Sequence, residues 1–180
     1  MDLQGLILMK FVRNKNSFHI SLLMLLLSAC NASKEVNNET IGSLDLSMYL
    51  GEWFEIARFD NYFERGMEKT KAIYKLREDG YVIVRNSGVK SGRIKTANGK
   101  AKSTNNSALF RVSFFWPFYA DYRVLYIDSD YQYALVGSGS ANYLWILSRT
   151  PQLTADVKSI LLNEATRRGY DVSKFILVKQ

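Results

Sequence analysis

The residues able to do covalent or acid–base chemistry are few, and their scarcity narrows the possibilities. The chain of 180 residues holds one cysteine, Cys30, and one histidine, His19. Both lie in the first thirty residues, beside an apolar run from Ile20 to Leu27. Beyond them no imidazole is left to act as a general base near neutral pH. Ser–His–Asp and Cys–His catalysis are thereby excluded from the rest of the chain, and no His/Cys cluster is available for zinc. Carboxylates remain. Glu55 stands out, two residues past Trp53 on the same side of an alternating stretch. With no second group to work with, it reads as a buried acid satisfied by a hydrogen bond or by an arginine. No catalytic residue, metal or cofactor is expected.

Cys30 suits a different chemistry. Lys10, Arg13 and Lys15 precede the apolar run, which falls well short of the about 20 residues that span a bilayer. That arrangement matches a secretory signal. Its end, Leu27-Ser28-Ala29-Cys30, resembles the bacterial lipobox, in which small residues fit the peptidase and the thiol carries a diacylglycerol. The resemblance implies a signal peptide over 1–29, lipidation of Cys30 and a polar tether over 30–43. Asn31 follows in place of the Asp associated with inner-membrane retention, so a lipid-anchored, periplasm-facing place in the outer membrane is expected. As the only cysteine, Cys30 also leaves the domain without an internal disulfide.

The formal charge is +7, and +5 once residues 1–29 with Lys10, Arg13, Lys15 and Asp2 are set aside. The positive charge is dispersed, with a modest cluster at Lys90, Arg93, Lys95, Lys100 and Lys102. Nucleic acid would want such a cluster joined to a recognition helix or stacking platform. Neither is present, so no nucleic acid is expected. A solvated hairpin, or a surface drawn to anionic lipid headgroups, fits the cluster better.

The elements that must position these residues are mostly strands. In "GEWFEIARF", Trp53, Glu55, Ala57 and Phe59 share one parity and Phe54, Ile56 and Arg58 the other, the period of a strand packed on both faces. Further alternating runs follow, separated by Gly, Asp, Asn and Ser turns. "GRIKTANGKAK" reads as two arms around Asn98-Gly99, a favoured hairpin dipeptide. Eight strands joined by short connections escape their edge problem by closing into a barrel. One helix appears late, capped by Thr154 and ended at Gly169, with Val157, Ile160, Leu161 and Ala165 on one stripe. A short final strand, "KFILVK", follows it.

Three stretches now resemble the lipocalin signatures, in order. "YLGEWFEIARF" is similar to the first, "DSDYQYALVG" to the second and "YLWILSRTP" to the third. With the lipobox, the chain resembles the bacterial lipoprotein lipocalins, whose animal relative is apolipoprotein D. The resemblance implies an all-β fold: an eight-stranded antiparallel up-and-down barrel over 44–180, with one C-terminal α-helix packed outside and a short final strand. It also implies structural roles for Gly51, Trp53 and Arg149, the arginine stacking on the tryptophan at the narrow end. Residues 61–65 would form the long first loop over the open end.

Parity from Arg149 turns Leu147, Trp145 and Tyr143 inward, and the uncharged faces of other strands supply the rest. The expected ligand-binding residues are Trp145, Tyr122, Tyr74, Ala72, Phe110, Val112 and Tyr126. Such a lining suits an acyl chain with its head near the mouth, and equally suits ordinary barrel core. The expected function is lipid binding, storage or transport for envelope maintenance under stress, with a fatty acid or lysophospholipid as partner. The alternative is a non-carrier scaffold lipoprotein with a filled barrel. The aromatic connection Phe115, Trp116 and Phe118 reads as a loop cover or as a partner patch, which leaves room for a homodimer.

Overall fold

Alternating side chains and short polar turns make each run pair with the next. The structure is a computed structural model that describes residues 36–180. The expected signal peptide and Cys30 lie outside the described residues. The strands are β1 (Gly51–Phe59), β2 (Glu68–Leu76), β3 (Val82–Lys90), β4 (Arg93–Ser103), β5 (Leu109–Phe115), β6 (Phe118–Ile127), β7 (Tyr133–Gly137) and β8 (Leu144–Ser148). Each pairs antiparallel with its successor, and β1 pairs with both β2 and β8, closing an eight-stranded barrel. A short helix α1 (Leu46–Tyr49) precedes β1, and α2 (Ala155–Arg167) follows β8. A last strand β9 (Phe175–Leu177) adds to β1 on the outside.

Up-and-down topology sorts the connections between two ends. Those at 60–67, 91–92, 116–117 and 138–143 ring the mouth; those at 77–81, 104–108 and 128–132 lie at the floor, with α1. Between them are two apolar clusters. The inner one fills the barrel around Trp53, Tyr74, Phe110, Val124 and Leu147. The outer one lies between the wall and α2, around Phe59, Leu125, Leu135, Ile146 and Leu161. Thr154 caps α2 by accepting from the Val157 N–H at 3.4 Å, as the sequence predicts. The predicted stripe holds at Leu161 and Ala165, which are buried, but Ile160 is 43% exposed and Leu162 packs in its place.

Asn98-Gly99 is not a turn. β4 runs unbroken through it, and the hairpin closes seven residues earlier, at Ser91 and Gly92, whose φ values are 52° and 72°. Both residues positive is the geometry of a two-residue turn that matches strand twist. Gly99 serves packing instead: a Cβ there would come 2.8 Å from the Phe114 ring and from the Ser113 carbonyl.

Residues 36–43, part of the expected polar tether, are bound along the wall. The Asn37 N–H donates to the Arg168 carbonyl at 2.8 Å, and the Asn38 amide to the Ser138 carbonyl in a mouth connection at 3.3 Å. Ile41 N–H meets the Val124 carbonyl at 3.0 Å. Leu44 N–H reaches Ser107 Oγ and Asp45 N–H reaches Tyr131 Oη, both at 2.9 Å and both at the floor. The segment therefore descends from mouth to floor before the chain turns up into β1.

Candidate functional site

The floor of the barrel is built on one arginine. Arg149 stacks its guanidinium 3.8 Å from the Trp53 ring centre. It also donates to four backbone carbonyls: Glu52 at 2.7 Å, Met48 at 2.7 Å, Leu50 at 2.9 Å and Tyr131 at 3.2 Å. It thus ties the end of α1 to the start of β1. Gly51 has φ +97°, and a Cβ there would stand 3.4 Å from Arg149 Nη1, which is why glycine precedes this tryptophan. Trp53 is fully buried and donates Nε1–H to the Tyr49 carbonyl at 2.8 Å.

Above the floor three phenols form a chain. Tyr122 Oη lies 2.6 Å from Tyr49 Oη and 3.0 Å from Tyr74 Oη. Burial pushes all three above the ordinary tyrosine value, so they are neutral hydrogen-bonding groups. Around them Leu46, Val82, Val84, Ala101, Phe110 and Val112 leave an apolar void of about 20 Å³. That is room for little more than one water, against the roughly 300–1,000 Å³ of a small-molecule pocket.

The upper barrel is charged. Arg58 is 3% exposed and donates to Glu55 Oε1 at 2.7 Å. Its other end holds the first loop by donating to the Glu64 carbonyl at 2.7 Å and the Met67 carbonyl at 3.1 Å. Glu64 turns inward from that loop, accepting from Asn61 Nδ2 and, at 3.1 Å, from Trp145 Nε1. Burial, reinforced by the negative charge of Glu64, pushes the Glu55 carboxyl up to about 8 against the pull of Arg58. Arg58 Nε, Thr70 Oγ1 and Asn86 Oδ1 are buried in this half with no hydrogen-bond partner in the protein.

Of the expected lining residues, Ala72, Tyr74 and Phe110 belong to the inner cluster, and Val112, Tyr122 and Trp145 pack against it. Tyr126 is a correction. An extra residue, Leu125, bulges between the pairs Val124↔Val136 and Tyr126↔Leu135, so Leu125 and Tyr126 both join the outer cluster. Tyr126 stacks on Tyr133 outside the barrel, with ring centres 6.3 Å apart. A second bulge, at Ile56, breaks the parity of β1. Trp53 and Glu55 face inward as expected, but Ala57 and Phe59 pack outside and Arg58 turns in. Strict alternation therefore missed Arg58, the cation at the centre of the upper site. Glu64 and Tyr49, in a loop and a helix, had no strand parity to announce them. Among the described residues no group of three or more His, Cys, Asp or Glu could hold a metal ion.

A profile described as the lipocalin-like domain matches residues 44–180. The chain belongs to the lipocalins. This lipocalin is 46% identical over 160 residues to the outer membrane lipoprotein Blc of Escherichia coli K12, covering 86% of this chain and 90% of that protein. It is 32% identical over 149 residues to apolipoprotein D of Macaca fascicularis, covering 77% and 78%. Among solved structures, insecticyanin of the tobacco hornworm Manduca sexta superposes with a TM-score of 0.64 at 24% identity, covering 84% of this chain and 86% of that one. That last likeness concerns the fold alone.

Proposed function

We propose that this lipocalin is an outer-membrane lipoprotein, anchored through Cys30 and facing the periplasm, that binds a single-chain amphiphile in its barrel. A fatty acid or lysophospholipid is the ligand class, and storage or transport for envelope maintenance under stress is the setting. The address is supported by the relatives named outer membrane lipoprotein. The observation that carries the ligand class is the division of the interior into two layers: apolar and phenolic below, with Arg58, Glu55 and Glu64 above. A chain below and a head above match that division. Entry of the chain widens the small void by opening the Tyr49–Tyr122–Tyr74 hydroxyl chain. Two neutral hydrogen bonds cost about 1 kcal/mol each, and about three buried methylenes offset them at roughly 0.8 kcal/mol apiece.

The size of the void favours a second reading, in which the barrel stays filled and the protein acts as an envelope scaffold. Calorimetry with fatty acids and lysophospholipids of increasing chain length separates the two. The carrier reading expects saturable binding that strengthens with each methylene until the space is full. It also expects a tryptophan fluorescence change that Trp145→Phe removes with the fold intact. Absence of saturable binding at every length, with the barrel folded, refutes the carrier and leaves the scaffold.

A further inference from the structure

The mouth carries apolar surface that the barrel itself does not use. In the β5–β6 turn, Phe115, Trp116 and Phe118 are between 71% and 77% exposed. Across the mouth, Tyr62 and Phe63 in the β1–β2 loop are 81% and 69% exposed. Aromatic side chains largely in water, on two separate loops at one end, mark a contact surface. Between them, at the β3–β4 turn, stand Lys90, Arg93 and Lys95, none of them in an ion pair among the described residues. The connections at the other end are more acidic: they carry Glu78, Asp79, Asp128 and Asp130, and Asp45 caps α1 beside them, against Arg77 and Arg149. Aromatic loops on either side of a cationic turn suit the interface of an anionic phospholipid layer, where rings sit at headgroup level and cations meet the surface potential.

The chain's exit points the same way. Val36 lies on the mouth side, where Asn37 bonds Arg168 and Asn38 bonds Ser138 of the β7–β8 connection. Only residues 31–35 separate it from Cys30, a reach of at most about 22 Å. A nine-residue strand such as β1, tilted about 40°, is itself roughly 23 Å tall. The leash has no slack to stand the barrel on its floor.

We propose that the lipocalin docks mouth-down on the anionic phospholipid surface that holds its anchor, through the Tyr62/Phe63 and Phe115–Phe118 loops and the Lys90/Arg93/Lys95 turn. Cargo then passes between bilayer and barrel without crossing water. The geometry rests on the anchored-lipoprotein reading, and the surface chemistry does not.

The acylated full-length protein, reconstituted in vesicles of phosphatidylglycerol and phosphatidylcholine with brominated chains, tests it. Co-flotation with vesicles reports the anchor, Trp145 reports cargo, and Trp116 reports docking. The expected result is strong quenching of Trp116 by shallow bromines, lost in Trp116→Phe and relieved by high salt. Replacing Lys90, Arg93 and Lys95 with Gln weakens docking about fivefold per cation while flotation persists. Near-UV circular dichroism checks that these variants keep the native fold. The proposal is overturned if Trp116 stays solvent-exposed in floated vesicles. It is equally overturned if Trp116 is shielded without lipid in proportion to protein concentration, since that outcome assigns the patch to a second copy.

Discussion

Glu55 gives the fold a pH dependence that can be worked out in advance. Its folded pKa is raised to about 8, and its unfolded value is the ordinary 4.5. Between those values the native carboxyl holds a proton that the unfolded chain has released. The native state then binds more protons, so stability falls as pH rises. The contribution is fully present below pH 4.5 and is lost through pH 8. Between pH 5 and 8.5 the expected loss is about 3–4 kcal/mol. The window is clean, because the only histidine is His19 in the expected signal segment. Urea titrations of the wild type across this range should show the midpoint falling steadily. Glu55→Gln keeps an oxygen for Arg58 but cannot ionise, and should flatten the slope to under about 1 kcal/mol. A wild-type stability that stays flat or rises with pH, or a slope unchanged in the variant, would refute the burial argument. A flat profile would mean that Arg58 wins and Glu55 is ionised throughout.

The other predictions concern the floor and the anchor. Trp53→Ala should cost roughly 3–5 kcal/mol in denaturant titrations. Arg149→Ala should also destabilise, and because the two side chains stack, the double variant should lose less than the sum. Full additivity would separate them. Gly51→Ala should cost about 1–3 kcal/mol from its positive φ alone, and a neutral effect would remove the conformational reason for the glycine. Cys30→Ser should leave an unprocessed or mislocalised precursor on fractionation; a mature N-terminus in the outer membrane would contradict lipidation there.

Where alternation was regular, the sequence sufficed. Ala72 and Tyr74 face inward as their uncharged parity required, and Trp53 meets Arg149 as the lipocalin signatures implied. It failed where one residue was inserted into a strand. Ile56 and Leu125 each shift everything after them by one position, which turned Arg58 into the barrel and Tyr126 out of it. Nothing in those residue types signals a bulge, because both are apolar and pack equally well on either face of a wall buried on both sides. Asn98-Gly99 misled for a related reason. A glycine that admits a neighbouring ring is indistinguishable in sequence from one that makes a turn.

The segment that descends the wall also decides how the fold bears force. With the anchor proposed at Cys30, a pull on the lipid enters at Val36 and acts along the segment's own length. The bonds at Asn37, Asn38, Ile41, Leu44 and Asp45 are therefore loaded together, in shear, rather than peeled open one after another. Tension is shared between wall and floor before any of it reaches Gly51 and the start of β1.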